Sequence, residues 1–391
     1  MARWSRSSWL VGCGLSAGVA LLVACGPDPE AAGPKVPPKP AVSTTTVATT
    51  PKPPEPTVDD HKKAAKAAFD AGDYAKARPE LEAVVAAKPD DVEAQQMLGD
   101  VYAALGDHPK ATAAYFAATK ADGGKTEMLA LVAARALYDE QRFDDVISAA
   151  QASIKTNDKS MPLWMDVAMA QVAKADWASA SDTYKTLTTA FPDEPELWGD
   201  LAIAYAAGGK KDDAKKAVKS GLDKWTEVRG PKSKLDTKLG KGPEELCRFS
   251  RALRLVGDNA GAWAALSKYT VPKDELAADL DAEKGFVKRA QKEAGPAKAQ
   301  ADKALKASQN NNAPAHLLLA ALDVDGKKLD DAKSELSKYE ALAGRDLTYA
   351  LDHKDVQDAI SSAAANAKDK DKDKAKDKPK DADKDKAAKK P

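Results

Sequence analysis

A serine inside the first apolar stretch of the chain has the spacing of a hydrolytic nucleophile. Residues 14–18 read Gly-Leu-Ser-Ala-Gly, the G-x-S-x-G pattern that exposes a serine on a sharp strand-to-helix turn. The residues around Ser16 are uncharged and apolar, and no strand precedes them. Because the turn requires that strand, the sequence predicts no serine chemistry at this position.

Three residues near the C-terminal end match the middle of a calcium-binding loop. Asp323, Asp325 and Gly326 have the spacing of two inner ligands and of the glycine that turns the loop. Ala321 stands where the first ligand belongs, and Ala332 stands where a glutamate would close the loop with two oxygens. A loop that lacks both outer carboxylates should not hold calcium, and we expect no metal site.

The other nucleophilic and metal-ligating side chains are few and scattered. His61, His108, His316 and His353 are far apart and are expected at differing positions of the repeat described below. Cys247 lies among apolar residues and is predicted to be a small buried hydrophobe. Zinc-protease, phosphate-loop and dinucleotide motifs are absent from the sequence. We therefore predict a protein that is not an enzyme and needs no cofactor.

The composition favours helix-on-helix packing and gives no sign of a polyanionic partner. Hydrophobic residues make up 43% of the 391 residues, but aromatic residues only 6%, which suits thin helical layers better than a large β core. Lys+Arg and Asp+Glu both total 60, so the formal net charge is zero. Nucleic-acid-binding domains usually carry a basic excess, and a nucleic-acid partner is not expected.

The N-terminus resembles the signal of a bacterial lipoprotein. A basic head precedes an uncharged apolar stretch, residues 9–23, which is too short to span a bilayer. The stretch ends in Leu-Val-Ala before Cys25. The resemblance implies that residues 1–25 contain a cleaved signal and that the thiol of Cys25 carries a diacylglyceryl group. Cys13 has almost no apolar stretch before it, so Cys25 is the preferred site.

Both flanks of the central region are predicted to be disordered. Residues 26–57 hold ten of the 23 prolines, and proline interrupts helices and central strands. Residues 367–391 form a tail with eleven lysines, seven aspartates and no large apolar side chain, giving a net charge of +4. Because segments with nothing to bury cannot offset the entropy lost on ordering, we interpret the first as a tether and the second as a solvated tail.

Between the tether and the tail, the chain repeats itself with a period of 34 or 35 residues. One column of small residues consists of Ala77, Ala111, Val146, Ala180 and Ala214. Four positions later stand Leu81, Tyr115, Ala150, Tyr184 and Val218, and a turn column contains Gly72, Gly106, Gln141, Ala175 and Gly209. Three columns with one period indicate a repeat array.

The period and pattern resemble the tetratricopeptide repeat, a helix-turn-helix unit of 34 residues. Repeat two matches best, at Leu98-Gly99, Tyr102, Gly106, Ala111, Tyr115 and Ala118. The resemblance implies an all-α fold, an α-solenoid with five repeats over residues 58–228. Residues 229–243 are predicted to be an inserted loop. Residues 244–366 are interpreted as degenerate repeats that end in a capping helix near Asp352 to Asn366.

In this family the first helices of the repeats line a concave groove that binds protein segments. Carried over to repeats three to five, the inward positions are Met128, Leu131, Arg135, Tyr138, Met165, Met169, Val172 and Ile203. Most are apolar beyond what the core columns need, and exposed apolar patches often mark contacts. The alternative is that the superhelix shields them. The asparagines of the family's carboxylate clamp are absent, so binding of a C-terminal carboxylate in that style is not expected.

Together these features predict a lipid-anchored, non-catalytic scaffold of the bacterial envelope that binds protein partners and assembles or stabilises an envelope complex. Gly26 replaces the aspartate that retains lipoproteins at the inner membrane in the best-known sorting rule, so the outer membrane, facing the periplasm, is favoured. The alternative function is a structural link in which the tail makes weak contact with anionic groups of the cell wall.

Overall fold

The computed structural model describes residues 55–229, 243–267, 275–344 and 348–376. The predicted signal peptide, nearly all of the tether, the centre of the inserted loop and residues 377–391 lie outside this part of the chain. The acylation site Cys25 lies outside it as well.

Seventeen α-helices account for the regular structure of the described ranges, and the predicted all-α class is confirmed. They are α1 Val58–Asp70, α2 Tyr74–Ala87, α3 Val92–Ala104, α4 His108–Asp122, α5 Glu127–Asp139, α6 Phe143–Ile154, α7 Met161–Ala173, α8 Trp177–Ala190, α9 Pro195–Ala207, α10 Lys211–Arg229, α11 Pro243–Leu255, α12 Asn259–Ser267, α13 Glu275–Ala290, α14 Ala294–Ala307, α15 Ala313–Asp325, α16 Leu329–Ala343 and α17 Ala350–Lys376. The first sixteen pair in order as eight helical hairpins, and successive hairpins pack on one another. None of the described helices is both long enough and apolar enough to cross a bilayer.

Each hairpin turns at a single residue with left-handed backbone. These residues have φ between 56° and 82° and are Gly72, Gly106, Gln141, Ala175, Gly209, Gly257, Lys292 and Lys327. In several hairpins the next residue is an aspartate that caps the second helix. The carboxylates of Asp73 and Asp176 accept hydrogen bonds from the backbone N–H groups of Lys76 and Ser179 at 3.2 and 3.1 Å. Such caps stabilise a helix start, so the local sequence determines where these second helices begin.

The repeat register continues beyond the inserted loop. The step from Gly209 to Gly257 is 48 residues, one period of 34 plus 14, and the next two steps are 35 residues each. The small-residue column continues with Ala262, Ala297 and Ala332, and the column four positions later with Leu266, Ala301 and Leu336, all of them buried. The degenerate repeats predicted after the loop are therefore three units in the register of the first five. The 14 extra residues concealed that shared register from the sequence comparison.

The repeat columns have clear packing reasons, as repeat two shows. Ala111 is buried, and the Tyr115 hydroxyl four residues later donates a hydrogen bond to Asp100 at 2.8 Å. A Cβ atom on Gly99 would lie only 2.6 Å from the ring of Tyr115. The glycine of the Leu98-Gly99 pair is thus required for the close approach of the first helix to this tyrosine.

The last helix is longer than predicted. The sequence analysis ended it at Asn366, whereas α17 continues to Lys376, into the segment that was expected to be disordered. The extra residues are mostly alanine, lysine and aspartate, and the first two have high helix propensity. Val356 and Ile360 are buried in one cluster with residues of α15 and α16, so the first half of α17 covers the last hairpin.

Candidate partner-binding groove

Repeat three carries the most accessible of the predicted groove residues. Met128 on α5 is 68% exposed, and Val132, one helical turn later, is exposed as well. Arg135 and Tyr138 are half-buried. The ring of Tyr138 meets that of Phe143 edge-on, with the centroids 5.3 Å apart. Tyr138 therefore stabilises its own hairpin, and Met128 is the side chain of this repeat that a partner could contact most easily.

Leu131, also predicted to line the groove, is buried in the core. Its side chain is only 8% exposed and belongs to a core cluster with Ala150, Leu163 and Val167. The reason is that α7 packs against α5 as well as against α6, which covers the side of α5 where Leu131 lies.

Three predicted residues of repeats four and five line one small cavity. Met169 and Val172 on α7 and Ile203 on α9 share a space of about 30 Å³, which is large enough for one or two water-sized groups. The other lining residues are Trp177, Tyr184, Asp200, Ala204, Arg251 and Thr348. Met165 packs, half-buried, against the adjacent core cluster. The structure thus places Met169, Val172 and Ile203 around one cavity, with Ile203 itself buried.

One wall of this cavity comes from residues that the sequence analysis did not single out. Arg251 lies on α11, and Thr348 lies two residues before the start of α17. In the continued register Arg251 is the counterpart of Met169 and Ile203, since each stands six residues before a left-handed turn residue. An arginine therefore occupies a groove position in repeat six.

Arg251 is the middle member of a row of three arginines on α11. Arg248 lies one turn before it and Arg254 one turn after it, and the three side chains are buried or nearly so. The Nε atom of Arg248 is 3.0 Å from Oδ1 of Asp200 on α9. The Nε atom of Arg254 is 3.3 Å from Oε1 of Glu283 on α13. The row thus joins repeats five, six and seven through ion pairs with little exposure to water.

Asp352 in the first turn of α17 also binds this arginine row. Arg251 donates from Nε to Oδ2 of Asp352 at 2.9 Å. Arg254 donates from Nη1 and Nη2 to the two carboxylate oxygens at 2.8 and 3.1 Å, a fork that fixes geometry as well as charge. These residues lie 98 and 101 positions apart in the sequence, so the end of the chain folds back onto repeat six.

An aromatic contact accompanies the ion pairs. The ring of Tyr349 stacks on that of Phe286 in α13, with centroids 5.3 Å apart and an interplanar angle of 25°. The guanidinium of Arg251 lies 5.1 Å from the Tyr349 centroid, and that of Arg254 lies 4.9 Å from the Phe286 centroid. These distances suit cation–π attraction. Residues 348–352 therefore cover the groove face of repeats six and seven.

The ionisation of this cluster follows from its burial and its charges. Burial alone would raise the pKa of Asp352, but Arg254 and Arg251 outweigh it and hold the pKa well below its usual range. Burial would lower the pKa of Arg254, and the charges of Asp352 and Glu283 raise it instead. For Glu283 burial dominates, and its pKa is raised despite Arg254. Arg254 and Asp352 are thus charged at neutral pH.

Two of the histidines occupy the same repeat position, which corrects the expectation from the sequence. His61 and His316 each stand eleven residues before a left-handed turn residue. The Nδ1 atom of each lies 2.6 Å from a glutamate 19 residues later, Glu80 and Glu335 respectively. The two histidines therefore hold the helices of their own hairpins together. The sequence comparison missed the match because repeat eight follows the insertion.

Asp325 of the calcium-like sequence is paired with an arginine, and Cys247 is buried. Both carboxylate oxygens of Asp325 accept hydrogen bonds from Arg289, at 2.7 and 2.9 Å, and burial raises the pKa of Asp323. Cys247 is buried, as predicted, and burial raises the pKa of its thiol. Within the described ranges no three His, Cys, Asp or Glu side chains are grouped so that they could hold a metal ion.

Stacked helical hairpins in one register, with a shared face on their first helices, define an α-solenoid. A family model described as the tetratricopeptide repeat matches residues 62–125 and 165–225, which are repeats one and two and repeats four and five. The chain thus contains tetratricopeptide repeats, a fold that suggests a protein-interaction scaffold. No curated protein matches the sequence.

Solved structures with a similar fold have low sequence identity. Yeast Tom70 is 14% identical over 78% of this chain and 61% of its own, with a TM-score of 0.42. A tetratricopeptide repeat protein from Parabacteroides merdae is 14% identical over 64% of this chain and 93% of its own, with a TM-score of 0.38. MamA is 19% identical over 44% of this chain and 93% of its own, with a TM-score of 0.34.

Proposed function

We propose that the chain is a scaffold whose protein partner lies in the groove of repeats three to five. The observation that carries this proposal is the accessible apolar surface on the first helices of repeats three and four. Met128 and Val132 are exposed, and Met165 and Met169 are half-buried. Methionine is unbranched and adapts to the shape of a partner. Proteins of this family are generally non-catalytic, and the absence of catalysis here remains a prediction.

Replacing three groove methionines should weaken partner binding and leave the fold intact. The variant is Met128→Ala, Met165→Ala and Met169→Ala; Tyr138 is retained because it packs on Phe143. Side chains of this kind, once buried against a partner, typically contribute about 1–2 kcal/mol each to binding, without strict additivity. The measurement is quantitative mass spectrometry of co-purified proteins, followed by determination of Kd for the protein that is lost, with circular dichroism to confirm unchanged helicity.

Leu342→Ala is the matched control for this experiment. Leu342 is 42% exposed but lies on α16, a second helix, away from the groove positions. Partner recovery should equal that of the unaltered chain. Equal recovery by the methionine variant would show that the groove is not the binding surface, and the inserted loop at 229–243 would be tested next.

We further propose that the scaffold is a lipoprotein of the bacterial envelope, held at the outer membrane and facing the periplasm. The support is the sequence around Cys25, with a basic head, an apolar stretch and small residues before the cysteine. A diacylglyceryl group with an N-acyl chain supplies more than one lipid chain, which stable anchoring requires. At that position the repeat groove would assemble or stabilise an envelope complex.

The Cys25→Ser variant should lose its lipid completely. Metabolic labelling with palmitate should disappear, and the protein should move to the soluble fraction or remain as a precursor at the inner membrane. Cys13→Ser is the matched control and should label normally. Labelling that survives in Cys25→Ser and disappears in Cys13→Ser would assign the acylation to the other cysteine.

A further inference from the structure

The groove face of the solenoid is covered by the chain itself at repeats six and seven. Tyr349 and Asp352 lie one helical turn apart and are both buried. Tyr349 stacks on Phe286, and Asp352 binds Arg251 and Arg254. Thr348, just before them, lines the cavity that also contains Met169 and Ile203. The covering segment, residues 348–352, therefore ends where the proposed partner groove begins.

The covered surface has more binding capacity than the covering segment uses. Arg251 is 1% exposed, and its Nη1 and Nη2 atoms have no hydrogen-bond partner among the described residues. The same side chain lines the cavity beside Met169. A guanidinium offers five N–H donors, and Asp352 engages Arg251 through Nε alone. Within the described part of the chain, Arg251 therefore keeps donors beside the cavity that Asp352 does not use.

We propose that residues 348–352 are a resident occupant of a second binding surface, formed by Arg251, Arg254 and Phe286, and that a partner displaces them. The partner chemistry is a protein segment with an aromatic side chain followed three residues later by an aspartate, as in Tyr349 and Asp352. The inference rests on the proposed scaffold function, since it extends the groove of repeats three to five into repeats six and seven. The chain itself therefore covers the groove at repeats six and seven until such a segment binds.

Charge and connectivity support this arrangement. Asp200 on α9 is paired with Arg248, and Glu283 on α13 with Arg254, so the carboxylate that Arg251 binds directly comes from α17. The remaining hold on α17 lies elsewhere, where Val356 and Ile360 pack with residues of α15 and α16. The first turn of α17 could thus leave repeat six without unfolding the repeats, because each unit of a solenoid depends mainly on its neighbours.

The test uses a fluorescent peptide with the sequence of residues 348–366 and the full mature chain. In one chain the resident segment is released by Tyr349→Ala with Asp352→Asn; the other chain is unaltered. A resident segment seated more than nine-tenths of the time reduces apparent affinity in proportion. The peptide should therefore bind the released chain at least about tenfold more tightly than the unaltered chain. A peptide carrying Asp352→Asn should lose that binding.

Two further measurements keep the result independent of folding. Adding Arg254→Ala to the released chain should abolish peptide binding while circular dichroism shows unchanged helicity. In the unaltered chain, a large excess of peptide should increase hydrogen exchange in the first turn of α17, residues 350–354, because it displaces the resident turn. If the released chain lost helicity, the hydrogen exchange of the unaltered chain with excess peptide would alone decide whether the peptide displaces the resident segment.

Three results would overturn the proposal. The first is equal binding of the peptide to both chains. The second is no binding to the released chain at about 1 mM, the order of the effective concentration that a short linker gives a tethered segment, and the third is equal binding by the asparagine peptide. A different result would contradict the proposed scaffold function itself. In that case the methionine variant of repeats three and four would recover the same proteins as the unaltered chain, whatever the peptide does.

Discussion

Asp352→Ala should destabilise the closed arrangement of α11 and α17 by about 3–5 kcal/mol, the usual cost of removing one partner from a buried ion pair. The substitution leaves Arg251 and Arg254 in a nearly dry site with Glu283 as the remaining carboxylate. Because neighbouring repeats support one another locally, the loss should concentrate in repeats five to seven. Site-resolved hydrogen exchange should show faster exchange in α11 and the first turn of α17, with α1 to α4 unchanged.

A variant that removes the whole cluster separates charge from packing. Arg251→Met, Arg254→Met, Glu283→Leu and Asp352→Leu together replace the four charged side chains with apolar ones. Such replacements are often neutral or stabilising, so α11 should recover much of its protection. If Asp352→Ala left exchange in α11 unchanged, the ion pairs would not hold α17 on repeat six.

Acid should have the same effect on the unaltered chain as the alanine substitution. The pKa of Asp352 is depressed in the folded state, because the charges of Arg254 and Arg251 outweigh its burial. Its contribution is therefore complete above the unfolded pKa of about 3.9 and is lost as the pH falls through the folded value. Exchange in α17 should rise below about pH 4, and Asp352→Ala should lack this rise. The raised pKa of Glu283 makes the opposite contribution to the pH dependence of stability. The difference between the two proteins therefore reports Asp352 together with its effect on Glu283.

The repeat columns could be predicted from the sequence because their physical causes are local. A turn needs a residue that accepts left-handed backbone, and Gly72 and Gly106 provide it. The second helix needs a cap, which Asp73 supplies, and close packing needs small residues such as Ala77. Each requirement recurs once per repeat at a fixed offset, so the period emerges from the residues alone.

The arginine cluster could not be predicted in the same way. On a helical pattern Arg248, Arg251 and Arg254 look like a solvated face, since lone charges are costly to bury. Their burial depends on Asp352, about a hundred residues away, which reaches them only when the chain folds back. A signal did exist in the sequence. Once the 14 extra residues of the insertion are removed, Arg251 falls into the groove column of Met169.

Leu131 shows the limit of carrying family positions over to one chain. The inward position of a repeat predicts which side of the helix a residue occupies, but not what lies against that side. In repeat three, α7 covers Leu131, while Met128, one turn earlier, remains exposed. The exposure of the inward-facing side chains therefore varies along the groove, and it depends on how neighbouring helices pack.

Ala262→Leu should destabilise repeat six by about 1–3 kcal/mol, the usual cost of overpacking a well-filled core. Ala262 is buried on α12 in the column that also contains Ala111, although the sequence alone suggested a degenerate unit. The same cost is therefore expected for Ala111→Leu in repeat two. Hydrogen exchange should rise in repeats five to seven for the first variant and in repeats one to three for the second.

Ala260→Leu provides the matched control, because Ala260 lies two residues earlier on the same helix and is exposed. Surface substitutions of this kind usually change stability by less than about 0.5 kcal/mol, so its exchange pattern should match that of the unaltered chain. If Ala262→Leu were tolerated as well as Ala260→Leu, repeat six would not pack as repeat two does. Uniform loosening of all repeats by either buried variant would contradict a solenoid whose units depend on their neighbours.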